Sequence, residues 1–336
     1  MSVPDADPRP WLLPGWRDAA VAWARNRLAA QGRVISGGVT QPHVRAWSTV
    51  LRVPATGGAV YFKASGPCQA FEVALTTHLA SVAPTRLPGI IGADPCRGWL
   101  LLEDGGPTAR STWGDAPGLG VLCEALGAYA ALQRATTDGA VRATGLHDFA
   151  TSTIADRFGA FVENLPRSLP GFDVPEAVRE GAAGAVPGLE RLAAALQACP
   201  TGDAVQHNDL HDANLLIRDG ECRLFDWGDA CFGHPFATLF VFLRGLAGRW
   251  QVAPDEARIV RLRDAYLEPW GDAAPLASLR RACGQAWALG AVHRALTWGT
   301  IAPRLHPDDR GVALAPLAHW LAEVPAAVAA DSPWRD

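Results

Sequence analysis

One stretch, VQHNDLHDANLLIRDGECRLFDWGDACFGHP at residues 205–235, constrains the fold more than any other part of the 336-residue chain. ANLLIR and ECRLFDW are apolar runs on either side of Asp219-Gly220, a dipeptide suited to the two left-handed positions of a tight hairpin turn. The turn fixes the register: Arg218 pairs with Glu221, and each further couple steps one residue outward on both strands. Asn214 then faces Phe225, with Asp226 as its diagonal neighbour. Two oxygen-bearing side chains are brought together at the open end of the hairpin, and Asp209 stands in the loop just before it.

Hard cations such as Mg²⁺ take carboxylate and amide oxygens together with substrate phosphates, and Asn214 with Asp226 supplies that donor set. Asp209, a few residues upstream, is placed to accept a proton from an attacking hydroxyl or to orient it. Phosphoryl transfer depends on positioning and charge neutralisation, and its recurring parts include a lysine on the phosphates. The chain has one lysine in total, Lys63 in AVYFKAS, beside 29 arginines. Lysine is a compact point charge and arginine a broad planar fork, so a site that keeps lysine is a tight one.

Apolar spacing predicts an opening amphipathic helix over 15–31, ending at Gly32. HVRAWSTVLRV and AVYFKAS, separated by PATGG, read as a hairpin with Lys63 near the end of its second strand. CQAFEVALTTHLASV returns to helical spacing with Glu72 in its first turns, and GWLLLEDGG (98–106) reads as a strand leaving one lobe for another. Beyond it GVLCEALGAYAALQRAT, LERLAAALQAC and the tail from about 255 to 330 are helical, with 164–188 expected to be loops and short helices. The expected organisation is α+β and bilobal: a small β-rich N-terminal lobe over residues 1–103, then a larger, mainly α-helical lobe over 104–336 that holds one hairpin.

A formal net charge of -4 and the absence of clustered basic residues disfavour nucleic acid as a partner. The seven cysteines are scattered and form no CxxC pair, which argues against a disulfide framework or structural zinc. The opening MSVPDADPRPWLLPGW shows no basic region leading into an apolar run, and no later window approaches 18 uninterrupted apolar residues. A cytoplasmic protein without a membrane segment, monomeric or homodimeric, with a small-molecule partner, is therefore expected.

HNDLHDAN followed by FDWGD resembles the catalytic loop and metal-binding motif of the aminoglycoside phosphotransferase and choline kinase family, which has a protein-kinase-like fold. Chance matches to H-x-D-x-x-x-x-N arise in roughly one such chain per hundred, and the upstream lysine and helical glutamate lower that further. The resemblance spans about residues 33–235. It implies Asp209 as catalytic base, Asn214 and Asp226 as Mg²⁺ ligands, and His207 as a brace for the loop. It also implies a Lys63–Glu72 ion pair on the phosphates of ATP, and a hinge at Leu102, Glu103 and Asp104 whose backbone binds adenine. The implied activity is ATP- and Mg²⁺-dependent transfer to a hydroxyl of an aminoglycoside-like, amino-sugar or amino-alcohol acceptor.

Asn208 stands where antibiotic kinases of that family commonly have Gly, a combination closer to choline-kinase relatives, so a choline-, ethanolamine- or sugar-kinase-like metabolic enzyme is the alternative. A nucleotide-binding regulator is the alternative from another class. No G-x-G-x-x-G is present, and only SGGVTQ (36–41) offers a phosphate-covering loop. His211, Asp212 and Asp229 are either substrate-side groups or polar loop residues, Asp229 being a candidate for an acceptor amine or hydroxyl. Trp287 and Trp298, eleven residues apart on one expected helix face, are either core or an aromatic wall for the acceptor.

Overall fold

The computed structural model describes residues 9–113, 118–169, 174–330 and 332–334. Residues 1–8, part of the opening stretch read above, and 170–173, within the expected loop region, lie outside the described residues.

The N-terminal part comprises α1 (Trp16–Ala29), β1 (Thr40–Val44), β2 (Ser48–Val53), β3 (Val60–Ser65), α2 (Phe71–Val82), β4 (Ile90–Asp94) and β5 (Trp99–Glu103). Its five strands form one antiparallel sheet in the order β1-β2-β3-β5-β4. Strand side chains alternate between faces. Val60, Phe62 and Ala64 of β3 are therefore buried together with Trp16 and Trp23 of α1 and with Trp99. The aromatic rings meet edge to face, Trp23 and Trp99 each within 5.7 Å of Phe62. The opposite set, Tyr61, Lys63 and Ser65, is left facing the cleft. Leu75 and Leu79 of α2 are buried in the core of the second lobe, with Val141 and Leu146, so the helix bearing Glu72 is shared between the two cores.

The chain crosses between lobes at Gly105-Gly106. A Cβ on Gly105 would strike Leu216, and one on Gly106, which has a φ of 97°, would strike the Ile217 carbonyl. Glycine is what lets the crossing backbone lie against the hairpin strand.

The larger lobe holds α3 (Ala109–Trp113), α4 (Leu119–Arg134), β6 (His147–Asp148), α5 (Ile154–Ser168), α6 (Glu176–Gly184), α7 (Val186–Gln197), β7 (Ala204–Gln206), β8 (Leu215–Arg218), β9 (Glu221–Leu224), β10 (Cys231–Gly233), α8 (Leu239–Trp250), α9 (Ala257–Leu267), α10 (Leu276–Ile301) and α11 (Gly311–Ala330). The hairpin register is as expected, from Arg218↔Glu221 out to Leu215↔Leu224, and Asp219 and Gly220 both have positive φ. The region 164–188 is more helical than expected: α5 runs to Ser168, its buried Ile154, Phe158, Val162 and Leu165 recurring at helical spacing.

The hairpin is not the only sheet of this lobe. β10 pairs in parallel with β6 and antiparallel with β7. Among the described residues one helix, α11, is long and apolar enough to cross a membrane by length and composition alone. Its buried Leu317, Leu321 and Val324 join the core of the lobe.

Candidate active site

The short sheet explains how the site is assembled. β7 ends at Gln206, and Cys231 opens β10 directly opposite it. The loop that leaves β7 (207–214) and the segment that enters β10 (225–230) therefore run side by side. Asn208, φ 63°, and Asp226, φ 66°, are both left-handed, conformations a non-glycine side chain holds only where its surroundings over-determine them. For Asn208 the cause is visible: its Nδ2 donates to Thr297 Oγ1 at 2.8 Å and to the Asp229 carbonyl at 3.2 Å. A glycine would satisfy the φ but not those acceptors.

His207 is fully buried and ties the loop at two points. Its backbone N–H donates to Tyr129 Oη (2.9 Å), and its Nε2 lies 2.9 Å from the Phe225 carbonyl. Burial holds its imidazole down at about 4, so the ring is neutral at pH 7. Asn214 donates from Nδ2 to the Asp209 carbonyl at 3.0 Å, which commits the amide nitrogen and leaves Oδ1 as the free ligand atom.

Lys63 joins the two lobes. Its Nζ donates to Glu72 Oε1 at 2.6 Å and to Asp226 Oδ1 at 2.5 Å, while Ser65 Oγ donates to the other oxygen of Glu72 at 2.7 Å. Burial pulls the ammonium down, but Asp226 and Glu72 outweigh it and hold Lys63 above its ordinary value. Burial also raises Glu72 against the pull of Lys63, and Lys63 keeps Asp226 below the usual carboxylate range in spite of burial. The Asp226 side chain is 47% exposed and Lys63 takes only one of its oxygens. One free carboxylate oxygen and one free amide oxygen make a donor set that fits Mg²⁺ with phosphate oxygens and water completing it.

Asp209 is 31% exposed. Burial pushes its carboxyl up to about 7 against the guanidinium of Arg294, with Asp229 and Asp226 adding to the rise. His211 lies beside it, Nε2 to Oδ2 3.7 Å.

Several expected site residues are engaged elsewhere. Asp229 accepts from Arg294 (2.6 Å) and Gln69 (2.8 Å) and is 14% exposed, so it offers no free carboxylate to an amine. Asp212 is buried between Arg110, 2.7 Å away, and Arg249, an ion-paired tie between separate segments. Trp287 packs edge-on to Phe240 and Trp334 at 5.0 and 5.2 Å, while Trp298 meets Trp47 at 5.3 Å; they do not form one aromatic wall. Gly37 and Gly38 precede β1, where Ser36 N–H bonds the Pro54 carbonyl. The turn that reaches the other lobe is instead 45–47, closed by Arg45 N–H on the Ser48 carbonyl and carrying Trp47.

At the hinge, Glu103 donates its N–H to the Gly89 carbonyl and pairs its carboxylate with Arg33 at 2.7 Å, so both groups are engaged within the N-terminal lobe. Asp104 Oδ1 takes the Gly106 N–H. A cavity of about 430 Å³ opens there, lined by Tyr61, Asp104, Pro107, Ile217 and Arg218 among others. Leu102 and Glu103 are not among its lining residues. Tyr61 was open to inference, since it lies two residues before Lys63 on the same strand face; Arg294 carried no local signal.

A small β lobe set on a helical one, with lysine, paired carboxylates and an Asp-Asn loop meeting in the cleft, defines the two-lobed fold of kinase-like phosphotransferases. The sequence profile of the Phosphotransferase enzyme family matches residues 31–279. The chain belongs to that family. Among solved structures it is similar to the macrolide 2'-phosphotransferase of Brachybacterium faecium: TM-score 0.55, 20% identity, 88% of this chain and 97% of that one covered. It is also similar to choline kinase from Cryptosporidium parvum (TM-score 0.63, 15% identity, 91% and 94% covered). A choline/ethanolamine kinase family protein from Mesorhizobium loti gives a TM-score of 0.57 at 18% identity, with 93% and 99% covered. No curated protein sequence matches the chain.

Proposed function

We propose that this phosphotransferase moves the γ-phosphoryl group of Mg·ATP to a hydroxyl of a small-molecule acceptor. The observation that carries the reading is the convergence of Lys63, Glu72, Asp209, Asn214 and Asp226, drawn from separate segments, on one cleft. Lys63, pinned by Glu72 and fully charged, would hold phosphate oxygens of the nucleotide, whose base would enter the cavity at Tyr61 and Asp104. Asp226 and Asn214 would hold Mg²⁺, which when bound neutralises charge on the transferring phosphate. Asp209, raised toward neutral pH, would take the proton of the acceptor hydroxyl. The relatives named for macrolides and choline are phosphotransferases and kinases of small molecules, which supports the same class here. The seven cysteines are unpaired thiols, consistent with a reaction in the cytoplasm.

The test is ADP release over a panel of hydroxyl compounds, with wild type and Asp209→Asn. The variant is expected to lose about 10²- to 10⁴-fold in kcat while its affinity for Mg·nucleotide is kept. Near wild-type turnover in Asp209→Asn would refute the base. Nucleotide binding that ignores Mg²⁺, with no acceptor-dependent ADP release, would make the protein a regulator instead.

A further inference from the structure

A second cavity, of about 530 Å³, lies beside the candidate transfer site, with His147, Phe149, Arg157, Thr300 and Arg304 among its walls. Three features place it beside the transfer site. Thr300 follows Thr297, which bonds Asn208, by three residues on α10, about one helical turn of roughly 5 Å. Phe149 packs at 5.6 Å on His293, the neighbour of Arg294. His147 packs at 5.2 Å on Phe71, the neighbour of Glu72.

The charge of this cavity is opposite to what an amine acceptor needs. Asp148, its one acidic wall residue, is tied to Arg142 at 2.9 Å. Asp229 and Asp212, acidic residues of the loop region read as substrate groups, are paired with Arg294 and with Arg110 and Arg249. Arg157 and Arg304 are both exposed. Among the described residues neither has a carboxylate partner, and Arg304 donates only Nη1 to the Thr300 carbonyl. His147 adds a neutral ring whose Nε2 is buried without a partner among the described residues. Guanidinium forks left open over a cavity match carboxylate and phosphate oxygens.

We infer that this cavity is the acceptor subsite and that the acceptor carries an anionic group, a carboxylate or a phosphate, held by Arg157 and Arg304 while its hydroxyl reaches Asp209. The inference rests on the transfer reading above and names its substrate class. It replaces the amino-bearing acceptor expected from the sequence.

The test titrates protein saturated with Mg²⁺ and a non-hydrolysable ATP analogue with four six-carbon polyols: gluconate, glucitol 6-phosphate, glucitol and glucosamine. At least one of the two anions is expected to bind about tenfold or more tightly than glucitol and glucosamine, the two arms telling carboxylate from phosphate. Arg157→Gln and Arg304→Gln should each weaken that anion about tenfold and leave nucleotide affinity unchanged. Equal or absent binding of both anions, a preference for glucosamine, or an anion preference that survives both substitutions would overturn the inference. ADP release is followed separately: an arginine-dependent anion preference without any phosphoryl transfer would keep the subsite and sink the transfer reading.

Discussion

Arg294 is the residue on which the geometry of the loop turns. Its side chain is 5% exposed, and its guanidinium reaches Asp229 Oδ2 at 2.6 Å, Asp209 Oδ1 at 3.3 Å and the Asn208 carbonyl at 3.2 Å. Arg294→Met keeps most of the side-chain length and removes the charge. Asp229, itself nearly buried, is then left with Gln69 alone. Breaking a buried ion pair by removing one partner costs about 3–5 kcal/mol, because the remaining charge is uncompensated. The partly exposed Asp209 end adds little, since solvent screens it. Urea unfolding followed by far-UV circular dichroism should therefore show a loss of about 3–5 kcal/mol at unchanged slope. Combining Arg294→Met with Asp229→Asn removes the stranded charge, and a double-mutant cycle should recover about 2 kcal/mol or more as coupling. A loss under about 1 kcal/mol, or a double variant whose losses simply add, would refute the ion-pair account. Arg294→Lys gives the functional readout. With the fork gone but a charge kept, kcat should fall while nucleotide affinity holds, because Arg294 touches the loop that bears Asp209 and makes no contact with Lys63 or the hinge.

Lys63→Arg should lower kcat/KM by about a hundredfold or more, since the space between Glu72 and Asp226 is filled by a single ammonium at 2.6 and 2.5 Å; near-normal turnover would remove Lys63 from the phosphate site. Burial holds His234 and His293 at about 3, well under their ordinary 6.5. Below pH 6.5 the unfolded chain binds protons that the folded one does not, so stability is highest above that value and falls on acidification. Each should contribute a loss of about 2 kcal/mol near pH 5, and denaturation curves in which His293→Gln leaves the pH slope unchanged would contradict this. Gly290→Ala would place a Cβ against Phe240 and 2.8 Å from the Ala237 carbonyl, an overpacking expected to cost about 3 kcal/mol; a melting temperature equal to wild type would show that α8 and α10 can move apart freely.

Much of this arrangement was legible because it is local. Asp219-Gly220 fixes the hairpin register through backbone conformation alone, and Phe71, Leu75 and Leu79 mark a helix by spacing. What was not legible depends on distant partners. β6 and β10 are two and three residues long, too short for alternation to show, yet the pairing of β10 with β7 sets the two halves of the site side by side. Arg294 lies on α10, which is buried nearly all round, so no apolar stripe told which of its side chains face the loop and which the core; Trp287 and Trp298 were ambiguous for the same reason. Asp212 and Asp229 stand in a motif where free carboxylates are natural, and only the fold brings Arg110, Arg249 and Arg294 onto them.

The same pattern resolves the contrast between one lysine and 29 arginines. Arginine appears where a carboxylate is to be neutralised, as at Asp212, Asp229 and Glu103, tasks for which a planar fork suits several acceptors at once. Lysine appears at the one point where a charge must bridge two carboxylates from different lobes in the cleft. Pairing the loop carboxylates bears on the inferred acceptor subsite: among the described residues, the arginines that line the second cavity, Arg157 and Arg304, have no carboxylate partner. If that subsite takes an anion, a family fold would keep its phosphate chemistry while the pairing of a few loop residues changes the sign of its acceptor site.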